Sequence, residues 1–422
     1  MTLTAPSKLT FQQKLENYAE LAIKIGVGLK PGQRLLIGAD VENAALVRLV
    51  AQKAYDAGAR LVEAHWEDDA LTLARLKNAP LESLEEAVHV QTFALNDVAE
   101  HEDAILWMRS TDPDLLSDID PSRVNTAQTA MMKARAPYYG KVMVNALNWC
   151  VIAPPSKAWA QCIYPHLTPE SALEQMWEDN FKIVRADLEN PLEAWKEHNA
   201  GLRKVREYLT AKQYTALEFK GGGTDLSVGL PEKHVWGGGS HHATGKNAGL
   251  EFTANVPTEE VWTLPHRMRV NGVAKASKPL SYSGVLITDI EVHFENGRIV
   301  SARASKGQEV LEKMIATDEG SHRLGEVALV PHSSPISQSG LLFYNTLYDE
   351  NAASHIAVGR AYRHNLEGGV EMPLEDFVAA GGNDSLVHVD WMIGSDEVDV
   401  TGVLPDGSRE AVMVKGEWAF KI

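Results

Sequence analysis

The chain has 422 residues, with 40 basic against 57 acidic side chains and a formal net charge of −17. That balance lacks the basic footprint that phosphate-bearing partners require, which argues against nucleic acid and anionic membrane as partners. At 44% hydrophobic and 23% charged, the composition is that of a globular protein, and the length exceeds one core's usual reach, so two domains are expected. No apolar run approaches the roughly 20 residues that span a bilayer, and Met1 to Phe11 lacks the basic-then-apolar pattern of a secretion signal. The two cysteines, Cys150 and Cys162, are too few for a disulfide framework or a thiolate zinc site. A soluble, cytoplasmic protein is the expectation.

The first half alternates helix and strand. Leu9 to Ile25 has apolar residues at helical spacing and stops at Gly26 and Gly28. Lys30-Pro31-Gly32 turns the chain into a strand at Arg34–Ile37, followed by a helix over Ala44 to Ala57 and a strand over Arg60 to His65. Ala104–Met108 and Lys141–Ala146 read as further strands, with a helix from Ser122 to Ala134 between them. Strands separated by helices imply crossovers and a mainly parallel sheet, hence an N-terminal three-layer α/β domain over 1–190. The first strand runs into Ile37-Gly38-Ala39-Asp40 without the further glycines of a phosphate turn, so a scaffold role is favoured over a nucleotide site. Both cysteines fall in a Trp/Pro-rich stretch read as loop.

Thr168-Pro169-Glu170 opens a helical stretch that is interrupted at Asn190-Pro191 and reaches about Ala211, the expected domain junction. The remainder, 191–422, reads as a β-rich α+β catalytic domain. Its expected strands are Tyr214–Phe219, Thr224–Val228, Val285–Phe294, Ile299–Ala304, Glu326–Val330, Val387–Ile393, Glu397–Leu404 and Arg409–Val414. Glu295-Asn296-Gly297 and Pro405-Asp406-Gly407 are hairpin turns. A helical island is expected from Thr346 to Ala361.

Nucleophile machinery is missing. Gly239-Ser240-His241-His242 fails the serine elbow pattern, and His101-Glu102 has no second histidine at metalloprotease spacing. What remains is carboxylate and imidazole. His388 and Asp390 are two apart on a strand and point to one face; a core histidine bonded to a neighbouring Asp is an equally good reading of that pair. His355 and Tyr362 share a face of the helical island, although a lone helical histidine is more often simply a polar residue. Glu326 stands at the mouth of an apolar strand, where solvent would suit it unless a cation calls it inward. Of Glu259 and Glu260, one must turn inward if the other is solvated, and Glu260, leading into Val261-Trp262, is favoured. Two Glu, two His and one Asp suit a pair of divalent ions bridged by a carboxylate. His241, His242 and His332 are the remaining candidates, assigned supporting or structural places.

Four segments carry a specific resemblance: Asn255–Pro265 (NVPTEEVWTLP), Gly325–Ser339 (GEVALVPHSSPISQS), Phe343–His355 (FYNTLYDENAASH) and Ser385–Ser395 (SLVHVDWMIGS). In their order and spacing they resemble the aminopeptidase T family, which includes PepS, AmpS and aminopeptidase II. The resemblance implies that Glu260, Glu326, His355, His388 and Asp390 hold two divalent ions, zinc, cobalt or magnesium, and that Tyr362 polarises the scissile carbonyl or stabilises its oxyanion. It further implies release of N-terminal residues from peptides with a free N-terminus, and a homodimer whose active sites face an internal cavity. Trp262, Trp391 and His332 replace the phenylalanine or tyrosine of some relatives, which bears on side-chain preference. A bridging hydroxide would attack, with Glu260 or Glu326 carrying the proton to the leaving amine. The runners-up are another dinuclear-metal amidohydrolase and a catalytically inactive peptide-binding relative.

Overall fold

The computed structural model describes residues 8–110, 112–282 and 284–421; the first seven residues of the stretch read for an export signal lie outside them. The chain forms two compact units, Met1–His198 with Ser240–Pro257, and Asn199–Gly239 with Thr258–Ile422. The passage from the first to the second falls inside the helix Pro191–Lys212. Among the described residues, no helix is long and apolar enough to cross a membrane.

In the first unit, β1 (Arg34–Asp40), β2 (Leu61–Glu67), β3 (Ala104–Met108) and β4 (Trp149–Ile152) form a parallel sheet in the order β4-β3-β1-β2. The short strand Asn255–Val256 returns to pair with β4, also in parallel. β1 and β3 are almost wholly buried, as strands covered on both faces require, and their continuous apolar runs made them legible. β2 is the edge strand and leaves Leu61 and Trp66 exposed. The connecting helices include α1 (Phe11–Leu21), α2 (Ala44–Asp56), α3 (Asp69–Asn78), α4 (His89–His101), α5 (Pro121–Ala134) and α6 (Ala136–Met143).

Two expectations here are corrected. Lys141–Ala146 is not a strand: Pro137 in the first turn opens α6, which runs to Met143, and Asn145 then takes a left-handed conformation (φ 53°) before β4 begins at Trp149. Nor do the cysteines lie in a loop. Cys150 is buried in β4 and Cys162 sits on the helix Lys157–Ile163.

The second unit contains an eight-stranded antiparallel sheet and a separate five-stranded one. Its hairpins turn where expected; Asn296 and Gly297 both take positive φ, 48° and 80°, which suits Asn-Gly. The stretch Val285–Phe294 is two strands, Val285–Ile287 and Glu291–Glu295, because Asp289 breaks it at φ 54°. One apolar core, including Phe219, Trp236, Phe294 and Trp391, backs these sheets.

The helical island is the main correction. Thr346–Asp349 forms one turn and Glu350–Ala352 a 3-10 turn, after which His355–Gly359 is a buried strand. Ile356 and Val358, β-branched and facing core, favour the pleated surface once partners lie on both sides. His355 and Tyr362 therefore do not share a helical face.

Candidate metal centre

The five-stranded sheet orders its strands His388–Met392, His355–Gly359, Leu324–Leu329, Val261–Thr263, Gly237–Gly238, each antiparallel to the next. Register decides what meets on its face. Ala357 lies opposite both Glu326 and Asp390, and directly opposed residues share a face. His355 is two residues before Ala357 and His388 two before Asp390, so strand parity adds both imidazoles. In the next row Trp262 opposes Ala328, which opposes His355; Glu260, two before Trp262, enters the same face from the strand's start. Ala357, between two carboxylates, has the smallest side chain that keeps the strand regular, and leaves space where a larger one would fill it.

Two triads result, Glu260–Glu326–His355 and Glu326–His388–Asp390, and within each the ligand atoms lie within 4.8 Å of one another. His355 Nε2 is 3.1 Å from Glu260 Oε2 and 3.7 Å from Glu326 Oε1. His388 Nε2 is 3.7 Å from Glu326 Oε2 and 3.5 Å from Asp390 Oδ1. Glu326 thus turns one oxygen to each imidazole. Each ring is anchored from behind: His355 Nδ1 donates to the Ala353 carbonyl (3.0 Å) and His388 Nδ1 to the Arg360 carbonyl (2.7 Å). A carbonyl only accepts, so the proton sits on Nδ1 and Nε2 faces the carboxylates, the tautomer a metal-binding imidazole needs.

The electrostatics ask for cations. Glu260, Glu326, His355 and Asp390 are all buried, and among the described residues no lysine or arginine forms an ion pair with the three carboxylates. Burial, with the charge of Asp390, pushes Glu326 up to about 7 against the opposing His355 contact. Burial would lower both imidazoles, but the carboxylates win: His355 is raised well above its usual value and His388 to about 10. Asp390 is held low by His388 against the cost of its burial. Glu260 Oε2, His355 Nε2 and Asp390 Oδ1 are buried without hydrogen-bond partners. Hard oxygens, neutral-capable imidazoles and uncompensated negative charge fit divalent ions.

Tyr362 follows the His355 strand, with its ring centroid 5.1 Å from that of His388 and 5.4 Å from that of His364, on which it stacks. Burial and the surrounding carboxylates keep its phenol protonated far into alkali, so it is a hydrogen-bond donor.

Of the residues singled out from the sequence, Glu260, Glu326, His355, His388, Asp390 and Tyr362 come together on this face. Glu326 is buried within its strand rather than at a solvated mouth. Glu259 is buried as well as Glu260, because the whole segment Val256 to Thr263 is buried; its N–H donates to Asn351 Oδ1 at 2.6 Å. His332 bonds Ser337 at 3.1 Å and belongs to neither triad. His241 and His242 form a short strand of the first unit, His241 stacking on Phe252.

Glu350 escaped the sequence reading. Its carboxyl is pushed well above the ordinary range by burial and by Glu260, Asp390 and Glu326, and with Asp390 it lines a small cavity. It lies inside the quoted segment FYNTLYDENAASH, the one place a sequence signal for it existed.

A family described as thermophilic metalloprotease (M29) matches residues 11–418. The chain is 43% identical over 412 residues to "Aminopeptidase 2" of Geobacillus stearothermophilus, covering 98% of this chain and 99% of that one. It is 45% identical over 408 residues to "Aminopeptidase T" of Thermus thermophilus, covering 97% and 99%. Among solved structures it is similar to wild-type AmpT from Thermus thermophilus, with a TM-score of 0.92 and 44% identity over 97% of this chain and 100% of the other.

Proposed function

The chain belongs to the thermophilic metalloprotease family M29, and from that membership we propose how it works as a metal-dependent aminopeptidase, a hydrolase of the exopeptidase class. The centre is dinuclear. Glu260, Glu326 and His355 would hold one divalent ion and Glu326, His388 and Asp390 the other, with Glu326 common to both. The observation that carries this reading is Glu326 itself, whose two oxygens approach two different imidazoles. When bound, zinc, cobalt or magnesium ions would supply a bridging hydroxide at neutral pH, with a pKa lowered from about 15.7 towards roughly 7, and would polarise the carbonyl.

The protein's own groups do the rest. Tyr362 donates its phenolic proton to the oxygen that becomes the oxyanion. With Glu326 committed to both triads, Glu260 or Glu350 is left to carry the proton to the leaving amine. The Nδ1 anchors keep both imidazoles facing inward throughout. The substrate is a peptide with a free N-terminus and the working form is a homodimer, readings that rest on the family resemblance; the cytoplasmic location is read from the sequence composition.

Metal content after exhaustive dialysis, with turnover of leucine anilide and its N-acetyl form, tests the proposal. Two ions per chain and rejection of the acetylated substrate are expected. His388→Ala should lose one ion; retention of both removes His388 from the ligand set. Equal cleavage of the acetylated anilide would make the enzyme an amidase instead.

A further inference from the structure

Tyr362 follows the strand His355–Gly359 in extended conformation (φ −76°, ψ 127°) and leads into a 3-10 turn, Arg363–Asn365. That turn is tied down on two sides. The side-chain amide of Asn365, a residue 1% exposed, donates to the carbonyls of Val235 at 3.0 Å and Trp262 at 3.3 Å, and Trp262 lies on the strand that Glu260 leads into. The Asn365 N–H donates to the Tyr362 carbonyl at 3.2 Å. Arg363 donates to the carbonyls of Gly369, at 2.9 Å, and Met372, and its guanidinium packs over Phe377. The backbone that carries Tyr362 is thereby fixed, but none of these bonds reaches its ring.

The phenolic oxygen of Tyr362 makes no hydrogen bond among the described residues, so no polar contact aims the ring. Two imidazoles meet it instead. His388 stands 5.1 Å away between centroids with its plane tilted by 57°, and His364 stacks on it at 5.4 Å with 28° between the planes. His388 is committed elsewhere, to the Arg360 carbonyl and to its own carboxylates. His364 belongs to neither triad. Its ring nitrogens are shut off from solvent, and burial pushes the imidazole down to about 4, so a neutral ring lies against the phenol. Offset stacking of two neutral rings is a favoured geometry and restrains the tilt of both.

We propose that His364 is a positioning residue for the hydrolysis: its stacked imidazole holds the Tyr362 ring at the angle from which the hydroxyl meets the developing oxyanion. The inference rests on the donor role given to Tyr362 above, and supplies what that role lacks, a restraint on a phenol with no hydrogen bond of its own. His364 acts only through that ring. A donor displaced by about 1 Å loses much of its effect on the transition state, while substrate binding, which does not use the donor, stays as it was. A residue that merely filled space would instead change stability, with no selective effect on turnover.

A double-mutant cycle on the metal-loaded full chain tests it, with kcat and KM for leucine anilide, metal content and melting temperature measured for each protein. His364→Ala should lower kcat about tenfold, with KM and metal content as in wild type. His364→Phe, which keeps a stacking ring, should restore kcat to within about twofold. In a Tyr362→Phe background, His364→Ala should cost no more than about twofold further, because the group it aims is gone. The proposal is overturned if His364→Ala turns over like wild type, if His364→Phe is as slow as His364→Ala, or if the full tenfold loss persists in Tyr362→Phe. A loss that appears in KM or in bound metal overturns it as well, since His364 would then act on the centre by another route. Tyr362→Phe alone separates the two readings. Full turnover there removes the donor role and this inference with it; slow turnover beside an unaffected His364→Ala removes the inference and leaves the donor role standing.

Discussion

Two five-stranded sheets in one chain treat acidic residues in opposite ways. In the parallel sheet of the first unit, Asp40 and Glu67 close their strands, next to backbone N–H groups, Gln91 and Arg109 that answer them. In the antiparallel sheet of the second unit, Glu326 and Asp390 lie inside their strands, buried, with imidazoles for company. A strand end can recruit caps and solvent; a mid-strand carboxylate on a covered face cannot, and must be answered by something delivered to it. The contrast explains why only one of these sheets builds a site that needs ions.

The strongest way to break the comparison is to neutralise the mid-strand charge. Glu326→Gln should reduce peptide hydrolysis by about 10³-fold or more. The same change should raise the melting temperature of chelated protein by a few degrees, because it removes one of three buried carboxylates that face only two imidazoles. A lower melting point after chelation would show that Glu326 is stabilised within the protein itself. Next in size, Tyr362→Phe should lower kcat by about 10²-fold with KM little changed; unaltered turnover removes the phenol from the mechanism.

Gly325→Ala probes the sheet rather than a ligand. An added Cβ would lie 2.3 Å from the carbonyl oxygens of both Gly359 and Arg360, and the latter holds His388 Nδ1. Metal affinity should fall about 10–100-fold, as for other losses of outer support, and stability by about 1–3 kcal/mol. Wild-type affinity, measured by competition with a chelator, would show that the carbonyl does not orient the ring.

The smallest effect belongs to the first unit. Asp69 binds its proton more tightly folded than unfolded, so stability should decline as pH rises from about 4 to about 6 and level off above. Asp69→Asn should flatten that decline, by less than about 1 kcal/mol because the group is half exposed. Urea midpoints of both proteins at pH 4 and pH 6.5 give the comparison; parallel profiles would mean Asp69 titrates normally.

Much of this was legible in residue order. The alternation in Val387–Ile393 put His388 and Asp390 on one face, and the apolar runs of β1 and β3 announced a buried parallel sheet. The strand His355–Gly359 was not legible, because Asp-Glu-Asn-Ala-Ala ahead of it favours helix locally and its pairing partners lie far along the chain. Lys141–Ala146 failed in the opposite sense, its Lys-Val-Met-Val run inviting a strand where Pro137 had already started a helix. Glu350 was marked only by its place in the segment FYNTLYDENAASH, since its environment is made by Glu260, Glu326 and Asp390 from three other segments. Register, not propensity, assembled the site.

Both imidazoles hang from backbone carbonyls just outside the two ends of the His355 strand, Ala353 before it and Arg360 after it. Ion exchange is then a matter of sheet breathing rather than loop motion: a ring that lets go must break a bond tied to the ladder. Deuterium uptake at Ala357, Val358 and Asp390, the amides of that ladder, should slow on loading, making the sheet's own backbone a gauge of occupancy that needs no substrate.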